Sequence, residues 1–189
     1  MVALEDDIKN CIQVLTKGGT VLYPTDTIWG LGCDAMNKDA IEKIFAIKQR
    51  PRQKSLIILL ADARDVLKYV ASPPPDIIDI LENFERPTTV IYSNALDLPE
   101  NAINENGSIA IRVTKDPFCK ALIKRFRNPL VSTSANITGQ KTAPLFSMID
   151  SEIISQVDYV VKYRQDDNII SEPSTIIRIN DEGIIETIR

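Results

Sequence analysis

A chain of 189 residues has the length of one domain and is long enough to bury a sizeable core. Its composition, 44% hydrophobic and 25% charged with a net charge of −4, is that of an ordinary globular protein, and the acidic balance argues against a protein devoted to gripping nucleic acid. The absence of histidine excludes Ser-His-Asp and Cys-His catalysis, imidazole bases and histidine-ligated metals together, so any chemistry must run on carboxylates, Lys, Arg, hydroxyls or a hard cation such as Mg²⁺.

Leu4, Ile8, Cys11/Ile12 and Leu15 recur at helical spacing and run into Lys17-Gly18-Gly19, a natural stop, which predicts an amphipathic first helix. Thr20 to Tyr23 reads as a short buried strand. The segment Pro24 to Gly32 is expected to take an irregular path, because it contains one proline and two glycines. Asn37 caps a helix whose face carries Ala40, Ile41, Ile44, Phe45 and Ile47 and which must end near Arg50, since Pro51 follows. Leu56 to Leu60 is a strand, and it is also part of the longest apolar run, Leu56 to Ala61, far too short to span a bilayer. Asp62 caps a helix through Val70. Pro73-Pro74-Pro75 is a loop and not a domain boundary, because helical spacing resumes at Ile77, Ile78 and Leu81.

Strands follow at Thr88 to Ser93 and Ser108 to Val113, separated by a polar loop from Asn94 to Gly107. Asp116-Pro117 opens a helix to about Phe126, Pro129 to Thr133 is a strand, and a helical segment at Ser147 to Val157 precedes a strand at Tyr159 to Lys162. Thr175 to Ile179 and Ile184 to Ile188 form a hairpin. Strands and helices alternate up to that hairpin, which predicts an α/β fold with a mixed sheet. Cys11, Cys33 and Cys119 are scattered and odd in number, so free thiols are expected; with no basic-then-apolar leader at the N-terminus, the expected location is the cytosol.

Neither a Gly-rich Walker loop nor a G-x-G-x-x-G fingerprint is present. Two stretches carry chemistry instead. Lys48-Gln49-Arg50-Pro51-Arg52-Gln53-Lys54 packs four of the chain's 22 basic residues into seven positions. It asks for an anion, either a small phosphorylated ligand or a nucleic-acid backbone, unless it is simply a solvated helix end where cations suit the dipole. Ser132-Thr133-Ser134-Ala135-Asn136-Ile137-Thr138-Gly139 is a buried strand opening into hydroxyls. It either cradles an oxyanion at a strand end or forms a Ser/Thr turn that satisfies its own backbone.

Taken together, Tyr23-Pro-Thr-Asp-Thr-Ile-Trp-Gly-Leu-Gly32, Lys48-x-Arg50 and Ser134-x-Asn136 resemble the YrdC/TsaC family of L-threonylcarbamoyladenylate synthases in order and spacing. The resemblance spans nearly the whole chain. It implies a single domain over residues 1–189, with an α/β fold in which a twisted open mixed sheet, flanked by helices, surrounds a concave cavity. It also implies the reaction, in which L-threonine, bicarbonate and ATP give L-threonylcarbamoyl-AMP and pyrophosphate for tRNA threonylcarbamoyladenosine synthesis. Mg²⁺ is expected with the ATP, and tRNA and downstream threonylcarbamoyl-transfer proteins are the expected partners.

Residue by residue, the resemblance puts Thr27, Arg112, Ser134 and Ser174 at the threonine. It puts Lys48, Arg50, Lys54, Ser108, Asn136 and Arg189 around ATP, with Lys48 and Arg50 as the catalytic cations. Three departures stand out: Leu59 replaces a threonine-contacting His of some members, Phe84-Glu85-Arg86-Pro87 replaces W-P-G-P, and the final hairpin is one residue longer before Arg189. The competing reading is an RNA-binding module using the basic loop, which predicts salt-dependent RNA binding without turnover. Two further alternatives are an inactive paralogue and the related domain of hydrogenase maturation proteins, which sits in a much longer chain.

Overall fold

Helix α1 (Val2–Thr16) ends where Gly18, in the left-handed region at φ 71°, lets the amides of Gly18 and Gly19 return to the carbonyls of Leu15 and Val14. The computed structural model describes residues 2–51, 56–179 and 185–188. Antiparallel strands β1 (Thr20–Tyr23) and β2 (Gly30–Asp34) follow, then helix α2 (Lys38–Ile47), whose cap Asn37 accepts from the Ala40 amide at 3.0 Å. Strand β3 (Ile57–Leu60), helix α3 (Ile77–Asn83) and strands β4 (Thr88–Tyr92) and β5 (Ile109–Val113) come next. Helix α4 (Pro117–Phe126) has its proline in the first turn and Asp116 as cap. The chain continues through β6 (Leu130–Ser134), α5 (Ser151–Gln156), β7 (Tyr159–Val160), β8 (Thr175–Ile179) and β9 (Ile185–Thr187).

Among the described residues these strands form one open mixed sheet in the order β7-β1-β2-β6-β3-β5-β4-β8-β9. Pairing is parallel at β1/β7, β3/β5 and β4/β8 and antiparallel elsewhere, as the sequence predicts for a mixed sheet. Alternation along the strands sorts the residues into two faces. Ile58, Val90, Ile109, Ile111 and Val131 turn to one face, at most 1% exposed, and share a continuous core with Ile41 and Ile44 of α2 and Phe118 and Leu122 of α4. Ile57, Thr89, Ile91, Ala110, Arg112, Ser132 and Ser134 turn to the other face and line a concavity.

The irregular path expected over Pro24 to Gly32 is only partly found, because Gly30 to Asp34 is a strand. The glycines there permit close packing. A Cβ on Gly32 would stand 2.3 Å from the Val131 carbonyl and 2.8 Å from the Tyr23 ring, so the buried tyrosine and β6 can approach only a bare backbone. The helix expected from Asp62 to Val70 is a 3-10 helix, Ala63–Lys68. Its period of three puts Ala63 and Val66 on one buried face, after which Val70 leaves to pair with Ala95. The segment Ser147 to Val157 divides into a short 3-10 turn and α5, because the Asp150 carboxylate caps a new helix at the Glu152 amide. The three cysteines are buried free thiols, and that of Cys119 donates to the Pro24 carbonyl at 3.3 Å, tying α4 to the β1–β2 connection. No helix among the described residues is long and apolar enough to cross a membrane.

Candidate active site

The concavity encloses about 500 Å³, and two cations, Arg50 and Arg112, belong to its lining. One end is built by the connection between β1 and β2. The Thr25 hydroxyl donates to the Ile28 carbonyl at 2.7 Å and accepts from the Thr27 amide at 3.0 Å, closing a tight turn. That turn sets the Thr27 hydroxyl 3.1 Å from Arg112 Nη1. Arg112 rises near the C-terminal end of β5, only 4% exposed, with Asp26 Oδ1 at 3.5 Å from Nη2 and with Nε free of any hydrogen-bond partner. A buried guanidinium with donor capacity to spare, facing a cavity, has the chemistry to receive a carboxylate. Ser174 completes this end as the chain enters β8, its hydroxyl 2.8 Å from that of Thr89, which is the register partner of Arg112 on β4.

The other end is built by the close of α2. The amides of Gln49 and Arg50 return to the carbonyls of Ala46 and Phe45, the same motif that ends α1, here with Gln49 in the left-handed position at φ 48°. The turn sends Lys48 inward and Arg50 to the cavity wall. The Lys48 ammonium donates to the carbonyls of Ser134 and of Asn136, the latter at 2.7 Å, and the Lys48 carbonyl accepts from the Thr138 amide at 2.9 Å. Lys48 thus clamps the Ser134-Ala135-Asn136 turn, at 1% exposure and without reaching the cavity lining. The basic cluster is therefore no solvated helix end at Lys48 or Arg50. Burial lowers the Arg50 guanidinium below its ordinary value.

Of the residues predicted from sequence, Thr27, Arg50, Arg112, Ser134 and Ser174 line this one cavity. Asn136 does not; its amide donates to the Ile137 and Gln140 carbonyls and shapes the turn, leaving a buried Oδ1 without a hydrogen-bond partner. Ser108 does not either; it stands just before β5, and its hydroxyl is held by Asn104 and Asn106 at 2.9 and 2.7 Å. Lys54 and Arg189 lie outside the described residues, and Ile188, next to Arg189, lines the cavity. Thr89, Thr142 and Pro173 also line it without having been singled out. Thr89 had a signal: a hydroxyl at 0% exposure inside the apolar strand Thr88-Thr89-Val90-Ile91 needs a polar partner.

Residues 13–189 match the Sua5_yciO_yrdC family model, whose description reads telomere recombination. The chain belongs to the Sua5/YciO/YrdC family. It is 38% identical over 175 residues to the threonylcarbamoyl-AMP synthase of Pseudoalteromonas translucida, covering 91% of this chain and 92% of that one. It superposes on E. coli YciO with a TM-score of 0.82 at 24% identity, over 96% of this chain and 87% of that chain. It superposes on P. abyssi Sua5 complexed with L-threonine with a TM-score of 0.84 at 21% identity, over 96% of this chain. The chain spans about half, 53%, of that P. abyssi protein. At these identities the two structures speak for the fold: a mixed sheet flanked by helices.

Two of the departures from the family pattern have places in this fold. Leu59 is fully buried on β3, opposite Arg112 in register. Phe84 to Pro87 line a second, smaller cavity together with Asp26 and Lys115.

Lys48 gives this family member a pH signature. Burial first, and the Arg50 charge second, pull its amine from the ordinary 10.5 to about 7. Below that value the amine is charged in both folded and unfolded chains, and burying the charge weakens the fold. Above it the folded chain sheds a proton that the unfolded chain keeps until the ordinary value, so stability rises with pH across that window. In urea titrations from pH 6 to 9, the wild-type midpoint should climb relative to that of Lys48→Met, which has no amine to titrate. Parallel midpoints at every pH would refute the assignment.

Proposed function

We propose that this protein is a nucleotidyltransferase that joins L-threonine, bicarbonate and ATP into L-threonylcarbamoyl-AMP, releasing pyrophosphate, in support of tRNA threonylcarbamoyladenosine formation. The observation that carries the reading is that a buried guanidinium suited to a carboxylate, Arg112 with Thr27 and Ser174, and a second cation, Arg50, line one cavity of about 500 Å³. That volume suits an amino acid and a nucleotide side by side. The similarity to threonylcarbamoyl-AMP synthases over nine-tenths of both chains supports the same chemistry.

The threonine nitrogen takes up bicarbonate carbon with loss of water to give a carbamate. A carbamate oxygen then attacks the α-phosphorus, and pyrophosphate leaves. No covalent enzyme nucleophile is needed, in keeping with a chain that lacks histidine and whose cysteines are buried with raised pKa values. The protein's contribution is to hold two anions in line and to neutralise charge developing on the phosphates. In this reading Arg112, Thr27, Ser134 and Ser174 hold threonine. Arg50 grips the phosphates, with Lys54 and Arg189 as further ATP contacts; Ser108, outside the cavity lining and bonded to Asn104 and Asn106, is left out of the set. Lys48 and Asn136 act at the turn that brings Ser134 to the ligand.

Mg²⁺ enters as MgATP. No Asp or Glu lines the cavity among the described residues, and Mg²⁺ at nucleotide sites is held largely by the phosphates. An RNA-binding role would need the basic cluster on the surface, and Lys48 at 1% exposure speaks against it. Incubation with ATP, bicarbonate and each amino acid in turn tests the proposal. Pyrophosphate and a product with the mass of threonylcarbamoyl-AMP should appear with threonine, and silence with threonine sinks it.

A further inference from the structure

We propose that Asp26 is a positioning residue that orients the Arg112 guanidinium toward the carboxylate of the amino-acid substrate. The inference rests on the reading of Arg112 as the threonine carboxylate receptor. Asp26 does not line the main cavity; it reaches Arg112 from behind, from the side of a smaller cavity of about 220 Å³ that it shares with Leu81, Phe84 and Pro87. Its carboxylate is itself fixed. Oδ2 accepts from the Thr114 hydroxyl and from the Lys115 amide, each at 3.1 Å, where the chain leaves β5 two and three residues after Arg112. Oδ1 is buried, has no hydrogen-bond partner, and stands 3.5 Å from Arg112 Nη2.

The guanidinium is thus held on two sides. Thr27 receives Nη1 at 3.1 Å, and Asp26 faces Nη2 with an oxygen that has no other hydrogen bond to make. The same short stretch supplies both anchors, because Thr25 folds the turn that carries Asp26 and Thr27 at once. A planar guanidinium recognises a carboxylate through the direction of its N–H bonds, so a group that fixes the plane fixes the recognition. A negative charge at Asp26 also offsets the cost of keeping Arg112 buried and charged before substrate arrives.

Asp26→Asn removes the charge and sets an amide where the carboxylate faced Arg112. Kinetics of pyrophosphate release should show the KM for L-threonine raised roughly tenfold to a hundredfold, as for a charge-assisted contact left unmatched, with the KM for ATP within about twofold. The preference of the wild type for binding L-threonine over L-threoninol, in which an alcohol replaces the carboxylate, should collapse in this variant. A purely structural role for Asp26 would weaken both ligands alike. Should the Asn variant not fold, Thr114→Val leaves the Asp26 charge in place and removes the hydroxyl's hydrogen bond to that carboxylate, together with the one it accepts from the Asp116 amide; that second loss falls on stability and touches neither ligand. Thr114→Val should raise the threonine KM by about two- to tenfold, selectively.

An unchanged threonine preference in a folded variant, or equal losses for threonine and ATP, overturns the role of Asp26 while active wild-type protein leaves the reaction standing. A silent wild type overturns the reaction and this role with it.

Discussion

Replacing Arg50 with alanine is expected to lower threonine-, bicarbonate- and ATP-dependent pyrophosphate release by about two to three orders of magnitude. That is the scale of roughly 2.7–4 kcal/mol of transition-state stabilisation lost when a preorganised donor to a developing oxyanion is removed. The fold should survive. Arg50 is half-buried on the cavity wall, and the turn that presents it is closed by backbone bonds from the Gln49 and Arg50 amides to Ala46 and Phe45, which alanine keeps. Burial disfavours the guanidinium charge before ligand binds, so an arriving polyphosphate gains more from it than from a solvated arginine. Arg50→Lys should recover part of the activity, because it restores the charge without the planar two-pronged geometry. Circular dichroism and thermal melting alongside the pyrophosphate assay check the pair. Wild-type rates in folded Arg50→Ala protein would remove Arg50 from the site.

The sequence made the order of elements readable because caps and stops are local chemistry. Asn37, Asp62 and Asp116 cap where their side chains predict, and Gly18 ends α1 by adopting a conformation that glycine takes freely. Strand β2 was hidden for the opposite reason. Gly30 and Gly32 read as turn formers, and only the Tyr23 ring and the Val131 carbonyl, brought close by β1 and β6, explain why a strand there must be bare.

The site divides in the same way. The basic cluster and the hydroxyl run pointed to Arg50 and Ser134, and the family resemblance added Thr27, Arg112 and Ser174; β5, β6, β8 and two turns bring these five to one cavity from 148 positions of chain. That Lys48 would spend its amine on two backbone carbonyls, and that Asp26 would sit behind Arg112, depend on directions in space that no spacing rule carries.

Arg112→Met should be the most damaging change to the protein as a whole, because it strikes recognition and folding together. The methionine fills much of the arginine stem's space but withdraws the cation from Asp26 and the donor from Thr27. Breaking a buried pair by removing one partner costs about 3–5 kcal/mol, most of it the penalty of the charge left behind. The denaturation midpoint should therefore fall, and threonine-dependent turnover should disappear. Asp26→Asn added to Arg112→Met separates the two effects. It removes the abandoned carboxylate's charge, so stability should return toward the wild-type value, since a buried pair replaced at both ends is often neutral in stability. Activity should not return, because nothing remains to take the substrate carboxylate. Urea denaturation and the pyrophosphate assay on the single and double variants decide the matter. A double variant as unstable as Arg112→Met would show that Asp26 is not the charge Arg112 compensates, and one that regained turnover would show that Arg112 is not the carboxylate receptor.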